Sequence, residues 1–178
     1  MDEIVKAALR KWPNVPHCYG WLALDARGNW YMRDERVQRA GAFSQLKGNR
    51  IGHDKLLEFI HRNYGTDGNG CWFFQNGPQR VYVELEAAPW VWRIDANDFS
   101  VRSHTGADAT VYSTWLDEPG RLFLDTSIGF GLVHTMDTGV AAAAIERELW
   151  KPTPLAFADM PRRFNYVLRP QGQIAHQR

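Results

Sequence analysis

Short apolar runs, each cut off by a turn rich in glycine, asparagine or aspartate, recur from Trp21 to His134. That punctuation confines most of the chain to antiparallel hairpins. Trp21–Leu24 and Trp30–Arg33 read as strands joined by Asp25-Ala26-Arg27-Gly28, whose leading Asp and closing Gly suit a type I turn. A second meander comprises Cys71–Phe74, the turn Gln75-Asn76-Gly77-Pro78, Gln79–Glu86 and Trp90–Ile94, and Phe99–His104 resumes it beyond Pro89. Within it Val81-Tyr82-Val83-Glu84-Leu85-Glu86 alternates strictly, so one face is expected in the core and the other in water. Val111–Leu116, the turn Asp117-Glu118-Pro119-Gly120 and Arg121–Asp125 form another hairpin, followed by a strand over Ile128–His134.

Helical spacing appears in three places. Ile4, Val5, Ala8, Leu9 and Trp12 make a stripe over residues 2–12, stopped by Pro13 and Pro16. Leu56, Leu57, Ile60 and Tyr64 mark a helix over His53–Tyr64, with Glu58 placed to pair with Arg62. Asp137 or Thr138 is expected to cap a third, running to about Trp150 and closed by Pro152 and Pro154. Residues 34–52 read as loop, and Phe164–Leu168 as a final strand. The fold class is therefore α+β, mostly antiparallel β-meanders with two or three packed helices. One globular domain over residues 1–170 is expected, with halves at 17–95 and 96–168 and a disordered tail at 171–178. Leu24–Met32 aligns without gaps on Leu116–Leu124, and a helix follows each hairpin, the pattern of a duplicated hairpin-plus-helix unit.

Composition narrows the function classes. The net charge is +1, from 21 basic and 20 acidic residues, and no block of five like charges occurs, which disfavours nucleic acid and an anionic membrane surface. No apolar stretch is long enough to span a bilayer. The acidic opening Met1-Asp2-Glu3 does not read as a secretory leader. Cys18 and Cys71 form no CxxC pair, so free thiols in a reducing cytoplasm are expected. Eight tryptophans, nine phenylalanines and six tyrosines are a large aromatic load, read here as core-filling area in strands.

Few residues carry chemistry. His104-Thr105-Gly106 and His134-Thr135-Met136-Asp137 each put a His-Thr pair where a strand runs into a loop. His104, His134 and Asp137 are the catalytic candidates, with Asp137 orienting an imidazole, although turn and cap roles explain the same residue types. No HExxH or comparable ligand set supports a metal, and no cofactor loop is present. His53 and His61 share a helix face but stand too far apart to ligate together. Asp67-Gly68-Asn69-Gly70-Cys71-Trp72 fails as a calcium loop at Cys71 and Trp72. Gln75, Asn76 and Arg80 are the ligand-binding candidates: two amides and a guanidinium at an aromatic hairpin tip, where Arg80 can hold a carboxylate or phosphate.

The text Gly28-Asn29-Trp30, Arg50-Ile51-Gly52-His53 leading into Leu56–Ile60, Asp67–Phe74 and Gln79–Val91 resembles a proteobacterial family of uncharacterised proteins. It is also similar, more weakly, to a broader bacterial domain-of-unknown-function family with repeated β-rich motifs. The resemblance covers about residues 20 to 135. It departs from the broader family at Asn76-Gly77-Pro78-Gln79, where Thr-Pro before an acidic residue is usual, and at His53, where a basic residue is common. It implies a cytoplasmic α+β protein with a role in signalling or regulation by binding, and it supplies no catalytic residues.

The leading expectation is a non-enzymatic, regulatory module that binds a small molecule or a protein. A hydrolase-like enzyme using His104, His134 and Asp137 is the competing class, and requires the three to converge. A third reading, single-stranded nucleic-acid binding, requires several of Trp72, Tyr82, Trp90 and Trp92 to face solvent.

Overall fold

A computed structural model describes residues 1–174. The chain divides into two compact units: Met1–Asp25, Asn29–Glu86 and the C-terminal residues from Tyr166 form the first, and Ala26–Gly28 with Ala87–Asn165 the second. In chain order the first contributes α1 (Glu3–Lys11), β1 (Cys18–Leu24), β2 (Trp30–Met32), α2 (Glu35–Ala40), β3 (Asn49–Arg50), α3 (Asp54–Arg62), β4 (Tyr64–Thr66), β5 (Trp72–Asn76) and β6 (Gln79–Leu85). The second follows with β7 (Trp90–Ile94), β8 (Val101–Ser103), β9 (Asp108–Ala109), β10 (Val111–Leu116), β11 (Leu122–Thr126), β12 (Gly129–Val133), α4 (Thr138–Glu146), β13 (Thr153–Pro154) and α5 (Met160–Arg163). The chain then returns to the first unit with α6 (Pro170–Ile174).

Each unit is built on one sheet. The first has the order β3-β2-β1-β6-β5-β4, with β1 and β6 parallel and every other ladder antiparallel. The second has the order β13-β10-β11-β12-β7-β8-β9, with β7–β12 and β10–β13 parallel. Traced from β9, the second sheet runs β9-β8-β7-β12-β11-β10, which repeats the first position for position, the β7–β12 pair standing where β1–β6 stands. The α+β class of antiparallel meanders with packed helices is thus present, but this repeat sets β1–β2 against β7–β8, whereas the hairpin aligned with it in sequence, Leu116–Leu124, is β10–β11 and stands where β4–β5 do.

The repeated hairpin owes its shape to a buried aspartate. Asp25 Oδ1 accepts the Asn29 backbone N–H at 2.9 Å and Asp117 Oδ1 that of Arg121 at 2.6 Å. In both loops the same residue pair also closes backbone to backbone, Asp25 N to Asn29 O and Asp117 N to Arg121 O. Gly28 and Gly120 sit at φ of +79° and +85°, where a side chain would be strained. Asp117 further takes the Arg121 Nε–H at 2.7 Å, and Asp25 takes the Asn29 amide, the Tyr31 hydroxyl and Lys47.

The structure differs from the sequence reading at several elements, each for a physical reason. Residues 34–52 hold α2 and β3: Asp34 caps α2 by accepting the Val37 N–H, and because α2 buries no residue it has no apolar stripe to read. Of the stripe in α1 only Val5 is fully buried, while Ile4 is 75% exposed. Tyr64 leaves the helix for β4, and His53 is the cap of α3. The helix expected to reach Trp150 ends at Glu146. No strand forms over Phe164–Leu168, where Leu168 O takes only the Leu85 N–H from β6, and the tail forms α6, with residues 175–178 outside the described part. In β6 the alternation fails: Tyr82, Val83, Glu84 and Leu85 are all buried, since on the face read as wet Tyr19 and Val167 pack against Tyr82 and α6 bonds Glu84 through Gln171.

The aromatic load is mostly core. Trp90 and Trp92 stack with centroids 6.0 Å apart, and a Cβ on Gly131 would lie 2.5 Å from Trp92 Nε1 and 2.6 Å from Trp90 O, so only glycine fits beneath the pair. Phe130 stacks on Phe164 at 3.8 Å and on Phe123 at 5.5 Å. Trp72, Tyr82, Trp90 and Trp92 are all 8% exposed or less, so they do not form the open stacking platform that single-stranded nucleic-acid binding needs.

Asp117→Ala removes a buried carboxylate that accepts two Arg121 N–H groups at an otherwise exposed turn and is expected to cost about 2 kcal/mol. Asp25→Ala should do the same in the first unit. A urea midpoint unchanged in either variant would mean that the glycine alone fixes the turn.

Candidate functional site

The residues singled out from sequence fall at two places. Gln75 and Arg80 face one another across the β5–β6 ladder, with Asn76 opposite Gln79 at its end. Gln75 is not at the surface: it is 1% exposed, and its amide donates to Gly77 O at 3.0 Å. Asn76 is exposed, and the Arg80 guanidinium lies over the Phe73 ring at 4.4 Å. The hairpin tip thus uses Gln75 to hold its own turn, and Arg80 rests on an aromatic face.

His104 and His134 flank β7 on opposite sides. Their backbone N–H groups donate to Val91 O and Trp92 O, two strands apart across the sheet. Each imidazole Nδ1 accepts a backbone N–H, His104 from Val91 at 3.2 Å and His134 from Met136 at 3.0 Å. A nitrogen that accepts in this way carries no proton, so the arrangement selects the Nε2–H tautomer in both rings. His134, rather than Asp137, caps the turn that leads into α4. The Asp137 carboxylate instead receives Arg93 Nε at 2.6 Å, Arg93 Nη2 at 3.1 Å and the Ile94 N–H at 3.0 Å. A carboxylate that orients an imidazole takes its Nδ1–H; here both Nδ1 atoms face backbone donors and Asp137 faces a guanidinium.

A different group of side chains surrounds a cavity of about 470 Å³ in the first unit. Its walls come from the residue after β2 (Arg33), α2 and the turn behind it (Gln38, Gly41, Ala42, Phe43), β6 (Glu84), and the C-terminal segment (Arg169, Gln171, Gly172). The backbone of Arg33 is fixed by donation to Trp21 O of β1 at 2.8 Å. Its side chain turns inward until the residue is 2% exposed, and Nη2 ties down the turn by donating to Gly41 O at 2.6 Å and Leu46 O at 3.2 Å. Nε of the same guanidinium is buried and has no hydrogen-bond partner among the described residues. Glu84, 3% exposed, accepts the Gln171 backbone N–H at 3.1 Å through Oε1. Gln38 donates to Arg33 O at 2.8 Å and accepts from the Gln171 amide at 3.3 Å. Phe43, almost wholly buried, has the Arg33 and Arg169 guanidinium carbons 5.8 and 5.9 Å from its ring.

The electrostatics follow from burial. Burial pulls the Arg33 guanidinium below its ordinary value, Glu84 opposes this and Arg169 adds to it. Burial likewise pushes the Glu84 carboxyl up, against the Gln171 N–H and the charges of Arg169 and Arg33. No ion pair within 4.0 Å joins Arg33 to Glu84 among the described residues, so two buried opposite charges line one cavity without neutralising each other directly. Sequence reasoning missed all of this. Glu84 stood on the supposed wet face of a strand, Arg33 at a strand end, and Gln171 in a tail.

The Arg93–Asp137 pair makes a measurable prediction about scaffold. The Arg93 hydrogen bond holds the Asp137 carboxyl below its ordinary value, burial opposes, and the Ile94 N–H, the Arg93 charge and His134 reinforce it. Because the folded value lies below the unfolded one of about 3.9, the stabilisation is complete above that pH and is lost as pH falls through the folded value. Arg93→Met should therefore be less stable than the native chain at pH 7, with the gap closing in acid. A gap independent of pH in urea titrations would remove the pair from the stability of this unit.

No curated protein matches the chain. Among solved structures it is similar to a DUF1285 family protein from Silicibacter pomeroyi DSS-3, at 11% identity and a TM-score of 0.49, over 78% of this chain and 82% of that one. It is also similar to a DUF1285 family protein from Shewanella baltica OS155, at 14% identity and a TM-score of 0.45, over 69% of this chain and 91% of that one. Among the described residues no helix is long and apolar enough to cross a membrane, and no group of three or more His, Cys, Asp or Glu is placed to hold a metal ion. The resemblance drawn above from residues 20 to 135 extends further: the family model DUF2944, described as "Protein of unknown function (DUF2946)", matches residues 1–173, and the chain belongs to that family.

Proposed function

We propose that this protein is a non-enzymatic binding module whose first unit takes up a small anionic molecule in the cavity of Arg33, Glu84 and Arg169. One observation carries the reading: Arg33 lines the cavity and keeps a buried N–H with no partner. A buried donor left unmade costs about 1–3 kcal/mol, which a ligand oxygen recovers once the Arg33 side chain turns Nε toward the cavity. Guanidinium groups suit this task because they remain charged and donate in a fixed fork to carboxylate or phosphate. Arg169, exposed at the rim, adds a second positive charge, and Phe43 offers a flat apolar wall. The size, about 470 Å³, lies in the ordinary range for small-molecule sites.

Thermal unfolding of the full chain against phosphate, sulfate, acetate, propionate and glutarate tests it. An anion present at about one hundred times its dissociation constant adds roughly 2.7 kcal/mol, a shift of several degrees for a chain of this size. Arg169→Ala should reduce that shift while leaving the unliganded midpoint in place, because the side chain is exposed. Arg80→Ala should leave the shift intact. If none of the anions raises the midpoint, the cavity arginines are scaffold only.

A further inference from the structure

Resting on that reading, we infer that the molecule recognised is a small zwitterion, an amino acid or a close analogue, with its carboxylate toward Arg33 and Arg169 and its ammonium toward Glu84. A site for a simple anion has no use for a buried carboxylate in its wall, since like charges at close range repel and each pays a desolvation cost. Glu84 is nevertheless 3% exposed and lines the same cavity as Arg33. The other groups on the cavity wall do not neutralise it by contact. Oε1 takes one backbone N–H from Gln171, Arg33 is directed by Nη2 toward Gly41 O and Leu46 O, and Arg169 sits at the rim against Phe43. Two opposite charges held apart in one cavity match a ligand that carries both complements at its two ends. Gln38 and Gln171, already bonded to one another, border the same space with amides able to donate or accept.

The recognition is selective for a physical reason. Removing the amine from such a ligand leaves Glu84 buried without its cation, so a matched carboxylate forfeits a charge-assisted hydrogen bond and leaves a desolvated group behind. Removing the carboxylate does the same to Arg33. Burial raises the Glu84 carboxyl, and an ammonium beside it favours the ionised form.

Isothermal titration of the full chain at neutral pH with L-alanine against propionate, L-glutamate against glutarate, and ethylamine provides the test. At least one amino acid is expected to bind about tenfold or more tighter than its deaminated partner, with ethylamine weaker still. Glu84→Gln, which keeps an oxygen for the Gln171 N–H, should abolish the difference while retaining carboxylate binding. Should that variant fail to fold, the matched pairs on the native chain decide alone. Equal affinity within each pair, or an amine as tight as the amino acid, overturns the zwitterion and leaves the anion site standing in the first case. If neither the amino acids nor the carboxylates bind, the zwitterion falls, and the anion-binding reading falls with it only if phosphate and sulfate also leave the midpoint unchanged.

Discussion

The parallel ladder between β1 and β6 joins residues 18–24 to residues 81–85, and every wall of the first unit's cavity hangs from it. It places Ala23 opposite Glu84, so the carboxylate sits at the middle of the sheet instead of at its margin. On the far side of β1, Trp21 O receives the Arg33 backbone N–H and so sets where that side chain begins. On β6, Leu85 donates to Leu168 O, which fixes the approach of the C-terminal segment and brings Gln171 onto Glu84. A parallel pair needs a long crossover between its strands, and here residues 25–78 supply it with β2, α2, α3 and the β4–β5 hairpin. The polar groups of the site are thus separated widely in sequence and gathered by one pairing.

That separation governs what the sequence can disclose. Hairpins were legible because their determinants are local: Asp25 and Gly28, or Asp117 and Gly120, specify a loop within a handful of residues. The helix α3 was legible because one of its faces packs on the sheet, with Ile60 buried and Phe59 against Phe74 at 5.4 Å. By contrast α2 buries nothing and α6 is five residues long, so neither carries an apolar period. Missing α6 entailed misplacing Glu84, since a strict alternation in β6 assigns that residue to solvent unless something covers it. The candidate site was therefore hidden by the same omission as the tail helix. Gln75 shows the converse error, a polar residue in a turn-like text whose amide closes the turn from inside.

Buried charge occurs throughout this molecule, and its pairing separates support from binding. Asp25 and Asp117 are buried carboxylates whose lone pairs are filled by backbone N–H groups, a hydroxyl, a lysine or an arginine from nearby residues. Asp137 is filled by Arg93 and Ile94. Such groups specify loops and junctions, and each would cost stability if its partner were removed. The Trp92 indole N–H is also buried without a partner among the described residues, but it lies against the place where Gly131 lacks a Cβ, inside a stacked pair. The packing of two large rings accounts for that orphan, and it does not line the cavity of Arg33 and Glu84.

Arg33 admits no such account. Its two bonds to Gly41 O and Leu46 O use one terminal nitrogen to hold a turn, a role that a neutral amide could fill at lower desolvation cost. What a guanidinium adds is a charge and further donors, on a residue that lines the same cavity as a carboxylate it does not touch. Buried groups left partly unsatisfied are retained where they serve something other than stability. In this unit they coincide with a place where a turn, a central strand and the C-terminal segment meet around a cavity, whereas the polar groups of the aromatic hairpin tip and of the two histidines bond within their own turns and strands.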